Sequence, residues 1–221
     1  MKFELYEDVK LTDPIDVNKD IIFGIEYIAG AKGKNPKYHL IYPGSEECDM
    51  TNVNPAKEED IRKLTLEERK SLEASLESNF KVGDFITYLS RNDYYNLSIY
   101  GVIIDIVDDG KKAKVELFTK DHKPYTIEYL KISSIRKLTP GELVRLMVEK
   151  SETINDCDTV RLIVDYTDTE GRHYPRGTTG GVIDKIDIDG LLAVYDIELC
   201  DEYGRMIDSF YVDSLEIVFV H

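Results

Sequence analysis

Alternation of apolar and polar positions is clearest over residues 161–221. RLIVDY (161–166) is a β-rich run, and TDTEGRHYPRGTTG (167–180) concentrates turn-forming residues and reads as a long loop. GVIDKIDI (181–188) follows as a strand, and Asp189-Gly190 is a tight hairpin signal. LLAVYDIEL (191–199) alternates, with Ala193, Tyr195, Ile197 and Leu199 on one face and Val194, Asp196 and Glu198 on the other. CDEYGRM (200–206) makes the next turn. IDSFYV (207–212), an Asp213-Ser214-Leu215 turn and EIVFV (216–220) complete a unit of strand, long loop, three-stranded meander, helical turn and final strand.

The same order recurs upstream. FITYLS (85–90) is a strand, RNDYYNLSIY (91–100) a loop and GVIIDIVD a strand turning at Asp109-Gly110. KAKVELFT (112–119), a Lys120–Pro124 turn, YTIEYLKI, a Ser133-Ser134 turn and IRKL follow. Residues 101–138 align without a gap on 181–218 at an offset of 80, with ten of 38 pairs identical, among them Gly101/Gly181, Asp109/Asp189 and Ser134/Ser214. Over the first 64 residues, IIFGIEYIAG (21–30) and KYHLIY (37–42) match the central hairpin of a diverged third copy. That copy ends in IRKLT (61–65), the five residues that also close the middle copy at 135–139.

Each IRKLT leads into a helix start. Thr65-Leu-Glu-Glu68 and Thr139-Pro-Gly-Glu142 are capping boxes, the second with Pro140 at the first helical position. Helices are expected over about 65–79, with Leu66, Leu72 and Leu76 apolar, and over about 140–150, with Leu143, Leu146 and Met147 on one stripe.

The strand order resembles an SH3-like small barrel. The expected fold is mainly β with two short linking helices, in tandem SH3-like small barrels. The boundaries are 1–64 for a diverged SH3-like β domain, 65–80 for a linking helix, 81–138 for a barrel, 139–150 for a second helix and 151–221 for an acidic barrel. Residues 160–218 are also similar to a small SH3-like family of bacteriophages and integrative mobile elements. Gly177, Thr178, Gly180, Val182, Asp189, Gly190 and Leu192 carry that similarity over about a quarter of the chain. These are turn and core positions, so the resemblance implies a fold and no catalytic residues. Accessory proteins of mobile elements include some that counter host defence.

Charge divides the chain. The net charge is −15, but 81–138 carries ten basic against eight acidic groups, while 151–221 carries five against sixteen. The last third therefore repels phosphate backbone, which disfavours direct nucleic-acid binding. Asp184, Asp187, Asp189, Asp196, Glu198, Asp201, Glu202 and Asp208 are read as an acidic partner-binding face whose rows of carboxylates imitate a phosphate backbone. Arg91, Tyr94 and Tyr95 in one long loop, and Tyr174 and Arg176 in the other, are read as loop contacts, since Tyr and Arg are enriched at binding hot spots.

Nothing points to catalysis. His39, His122, His173 and His221 lie away from ligand spacings and are expected in solvent. Asp184, Asp187, Asp189 and Gly190 mimic a calcium loop, but its first ligand position is Lys185 and its last is Asp196, so a hairpin explains them. Cys48, Cys157 and Cys200 are too few and too scattered for a disulfide framework or a zinc site. The Gly177–Gly181 run leads into a strand and lacks the helix N-terminus of a phosphate loop. No stretch is long and apolar enough to span a bilayer, and the acidic start lacks a signal peptide, so the expected location is the host bacterial cytosol.

The expectation is a non-enzymatic, cofactor-free protein of a phage or mobile element that binds another protein. In its sharpest form it is an acidic inhibitor, of anti-CRISPR or anti-restriction type, of a nucleic-acid-handling host defence enzyme such as a nuclease or ribonucleoprotein. The alternatives are a structural or scaffolding module of virion or assembly type, and a nucleic-acid-binding module through 81–138.

Overall fold

The computed structural model describes all residues except 1, 13, 15–17, 19–20, 30–34, 43–54, 90–97, 169, 189–191, 201–202, 204 and 221. It is mainly β with two helices, and it divides into two compact units.

The first unit comprises Met1–Leu76 with Leu138–Val148. Strands β1 (Asp8–Leu11), β2 (Phe23–Ala29), β3 (Lys37–Ile41), β4 (Ala56–Lys57) and β5 (Ile61–Lys63) form one antiparallel sheet in the order β4-β3-β2-β1-β5. Phe3, Val9, Phe23, Ile25, Tyr38, Leu40 and Ile61 fill its core. Both capping boxes form. Ahead of α1 (Leu66–Leu76), the Thr65 amide donates to Glu68 Oε2 (2.8 Å) and the Glu68 amide to Thr65 Oγ1 (3.2 Å). Thr139 and Glu142 do the same ahead of α2 (Pro140–Ser151), at 2.9 and 3.2 Å. The start of α2 docks on the sheet through two glycines. A Cβ on Gly141 would lie 2.1 Å from the Tyr6 carbonyl oxygen, and one on Gly24 would lie 2.7 Å from Val144 Cγ2.

The apolar positions of α1 do not form a buried stripe. Leu66 is exposed and only Leu76 is buried. At about 100° per residue, six positions separate Leu66 from Leu72 by a third of a turn, so they cannot share a face. What holds α1 at its start is polar: Arg62 grips both oxygens of Glu68 (2.7 and 2.8 Å) and keeps that carboxyl far below its ordinary pKa. On α2, Val144, Leu146 and Met147 are buried and Leu143 is half-buried.

The second unit comprises Glu77–Lys137 with Glu149–His221. Strands β6 (Phe85–Tyr88), β7 (Ser98–Val107), β8 (Lys112–Thr119), β9 (Pro124–Lys131) and β10 (Ile135–Lys137) form a sheet ordered β10-β6-β7-β8-β9. Strands β11 (Thr159–Leu162), β14 (Thr179–Ile188), β15 (Leu192–Cys200), β16 (Met206–Asp213) and β17 (Ile217–Phe219) form another, ordered β16-β15-β14-β11-β17. The loop between β11 and β14 carries a small hairpin of β12 (Tyr166–Thr167) and β13 (His173–Tyr174).

The three five-stranded sheets share one strand order and one pairing register. Ile86 faces Gly101 as Val160 faces Gly180, Ile103 faces Val115 as Val182 faces Ile197, and Tyr129 faces Lys114 as Tyr211 faces Asp196. Each ladder between second and third strands slips at the same step: between Ile25 and Tyr27, Ile103 and Asp105, and Val182 and Asp184. The extra residues are Glu26, Ile104 and Ile183. A one-turn element precedes each last strand, at 58–60, 132–134 and 214–216. Among the described residues no strand pairing closes any sheet, and no helix is long and apolar enough to cross a membrane.

This register corrects the gapless alignment of the sequence. The true offset is 79 before the central hairpin (Gly101 on Gly180) and 82 after it (Ile135 on Ile217), because the hairpin of the last sheet is longer. Gly180, not Gly181, is the counterpart of Gly101. A Cβ on either Gly101 or Gly180 would meet a neighbouring side-chain carbon at 2.5 Å, whereas Gly181 has open space. Tyr100, expected in a loop, lies within β7 instead. It is buried, stacked on Phe118 with ring centroids 4.9 Å apart.

The bulge residue Glu26 is buried, and neither of its carboxyl oxygens has a hydrogen-bond partner among the described residues. Burial pushes its pKa up from 4.5 to about 7. The folded state therefore holds a proton that the unfolded chain releases, and this group removes stability as pH rises from about 4.5 to about 7. Ile occupies the equivalent position in both other sheets. Glu26→Ile is expected to stabilise the first unit, with a larger gain at pH 8 than at pH 5 in urea melts; an equal gain at both would show that ionisation is not the cause.

Candidate functional site

The acidic set of the last sheet does not form one face. Asp184 stands opposite Asp196, which also faces Tyr211 on the next strand, and Glu198 lies two residues along β15 on the same side. Asp196 has one oxygen, Oδ1, that is buried without a hydrogen-bond partner among the described residues. Its pKa is raised, first by desolvation and then by the charges of Asp184 and Glu198. Ile186 and Tyr211 are exposed on that same outward face.

Asp208 points the other way. Its oxygens accept from Arg172 Nη1 (2.6 Å) and from the Tyr174 hydroxyl (2.8 Å), in a network that Asp168 extends through Arg172 Nε (2.7 Å). Opposite Leu199 in the ladder, it follows the inward parity of its strand. Asp187 pairs with Ala193 along the backbone, but its side chain lies outside the described residues, as do Asp189, Asp201 and Glu202.

The loop residues are equally divided. Tyr174 is 5% exposed and stacks on Phe210 at 4.2 Å, so its ring is core and offers a partner almost no area. Arg176 is engaged internally: its Nη2 donates to Glu116 Oε2 and its Nε to the Ile163 carbonyl (3.1 Å). Arg161 Nη2 takes the other Glu116 oxygen at 2.8 Å. Glu116 on β8, only 6% exposed, thus sits between two guanidiniums from the neighbouring sheet of its own unit. Arg91, Tyr94 and Tyr95 lie outside the described residues.

Sequence reasoning missed a second surface. Tyr125, Ile127 and Tyr129 on β9 are 52, 50 and 62% exposed. Alternation alone would make that row the core face of its strand. The register inverts it, because Leu130 faces buried Ala113 while Tyr129 faces Lys114. Among the described residues β9 is also a sheet edge.

Two buried ionisable residues were also unforeseen. Lys150 is fully buried at the end of α2, where its Nζ donates to the Leu215 carbonyl (2.9 Å), and burial lowers its pKa to about 7. His122, expected in solvent, is 7% exposed in a left-handed turn (φ 56°), with its pKa lowered to about 4 by burial and by Lys150. Both border a cavity of about 330 Å³ with Asp121, Lys123, Asn155 and Asp158. Among the described residues no group of three His, Cys, Asp or Glu could hold a metal ion.

No protein-family model matches the chain, and none of the curated proteins matches it either. What the geometry offers is therefore two exposed sheet surfaces, one acidic and one aromatic.

The equivalent of the Asp184–Asp196 pair in the preceding sheet is Asp105 opposite Lys114. Like charges directly across a ladder destabilise, and opposite charges stabilise, by about 0.2–1 kcal/mol. Asp196→Lys should therefore raise stability by about 1 kcal/mol in urea melts at low salt, with the gain shrinking at 0.5 M salt. Glu116→Gln should lower it by about 3 kcal/mol, since it leaves two guanidiniums without their carboxylate. A neutral outcome for Glu116→Gln would mean that solvent already screens the pair.

Proposed function

We propose that this chain is a non-enzymatic, protein-binding protein of a phage or mobile element, built of tandem SH3-like units. In this reading its last sheet offers an acidic face to a basic, nucleic-acid-handling host enzyme and blocks it. The observation that carries the reading is the Asp184, Asp196 and Glu198 cluster. These carboxylates stand on one strand-held face with mutual repulsion, one oxygen desolvated, and exposed Ile186 and Tyr211 beside them. An arrangement that costs stability where the sister sheet has an opposite-charge pair is accounted for by a ligand that supplies the missing cations. Rigid strands repeat carboxylates about 7 Å apart along one side of the strand, the kind of row a phosphate-binding cleft accepts. The shared strand order, with a one-turn element before each last strand, supports the SH3-like reading. The resemblance of 160–218 supports the mobile-element origin.

The test compares wild type with Asp196→Lys, a variant expected to fold at least as well. Both are used as bait in a bacterial lysate at 50 and 300 mM salt, with quantitative mass spectrometry of the bound proteins. The expected result is a nuclease or nucleoprotein retained by wild type at low salt, released at high salt and lost by the variant. Equal recovery by the two baits would overturn the reading.

A further inference from the structure

We propose that β9 is a docking edge that takes an extended, acidic segment of a protein partner by strand addition. The inference rests on the protein-binding reading but uses a surface separate from the acidic face. Three observations converge on it. First, among the described residues β9 is the terminal strand of its sheet, and there one side of its backbone is open to hydrogen bonds from an added strand. Second, Tyr125, Ile127 and Tyr129 recur at every second residue, and each is at least half exposed. An added strand would seat alternate side chains between them, and Tyr gives large contact area at small entropic cost. The apolar Ile127 at the centre of the row suits a peptide better than a nucleobase.

Third, the surroundings are cationic. Exposed Lys123 and Lys131 flank the strand, and Lys114 stands across the ladder from Tyr129. Ile127 stands across from Glu116, whose charge is already taken up by Arg161 and Arg176, two part-exposed guanidiniums. Asp105 faces Lys114 from the other side, so the positive charge bordering the row is that of Lys123 and Lys131 near its two ends, within a chain whose net charge is −15. The occupant that fits is an extended segment alternating aliphatic residues with Asp or Glu. The equivalent edge of the last sheet, β16, keeps exposed Ile207 and Tyr211 at the positions of Tyr125 and Tyr129. There the position of Lys114 is Asp196, so the two edges share a shape and differ in charge.

The experiment is a selection of random twelve-residue peptides displayed on phage against the full chain, with counter-selection on Ile127→Lys. A lysine at a half-exposed position leaves the core intact and blocks an added strand. Enriched peptides are expected to alternate apolar and acidic residues. They should bind wild type at least tenfold more tightly than Ile127→Lys or the double variant Lys123→Glu, Lys131→Glu. They should also slow hydrogen exchange at β9 amides and bind Asp196→Lys as well as wild type. Absence of peptides that prefer wild type to Ile127→Lys would overturn the proposal, as would binding without slowed exchange in β9. Tight binding of a fluorescent fifteen-residue oligothymidine, lost in Tyr125→Ala with Tyr129→Ala, would overturn it in favour of a nucleic-acid platform. Failure here with success of the lysate test would leave the acidic-face reading standing.

Discussion

The second unit depends on a carboxylate taken out of water. Glu116 lies mid-strand on β8, a position where an isolated charge would be prohibitive. Arg161 and Arg176 each take one of its oxygens, and Arg176 also binds the Ile163 carbonyl while its amide donates to Asp165 Oδ1 at 2.7 Å. Through these bonds one side chain of the middle sheet fixes Arg161 on β11 and the turn that leads into β14. A buried pair of this kind is weak evidence for stability but strong evidence for register, because any slip leaves ions unpaired. The short strands around it, with thin cores, need such a constraint more than a large sheet would.

Three sheets with one register isolate what the architecture requires from what it permits. A buried apolar residue at Val9, Ile86 and Val160, a close approach at Gly101 and Gly180, and a bulge at Glu26, Ile104 and Ile183 recur because the ladder demands them. The side chains at the bulge and on the outward rows vary freely. Glu26 is the clearest departure, a buried carboxyl group with no hydrogen-bond partner among the described residues, where both sister sheets carry Ile. A bulge re-aims its extra residue, so the same backbone event buries Glu26 and exposes Ile183.

Most strands, both helices and both capping boxes were legible because each rests on local chemistry: period-two alternation, turn residues, and a Thr with a Glu three residues later. The IRKLT repeat was legible for the same reason. Its Ile and Leu are buried in both copies and its Thr caps the next helix. Correspondence between copies was misread, since the gapless alignment ran straight through the central hairpin, where the pairing offset changes from 79 to 82. The site was legible only in part. Asp184, Asp196 and Glu198 share a face by simple parity, but the inward turn of Asp208 and the burial of Tyr174 and His122 depend on non-local packing. Tyr125, Ile127 and Tyr129 were passed over, because alternation shows that a strand has two faces and not which one meets the core.

The two candidate surfaces come from equivalent positions. Lys114 and Asp196 occupy the same ladder step, each across from an aspartate, Asp105 in one sheet and Asp184 in the other. Tyr129 and Tyr211 stand beside them, both more than half exposed. One change of sign therefore separates a paired step from an unpaired one while the exposed aromatic is retained. Copies of one scaffold that keep an aromatic row and invert its charge can address partners of opposite charge without altering the core. This division also reconciles a net charge of −15 with a lysine-flanked edge: at physiological salt the Debye length is about 8 Å, so each edge presents its own charge to a partner rather than that of the whole chain.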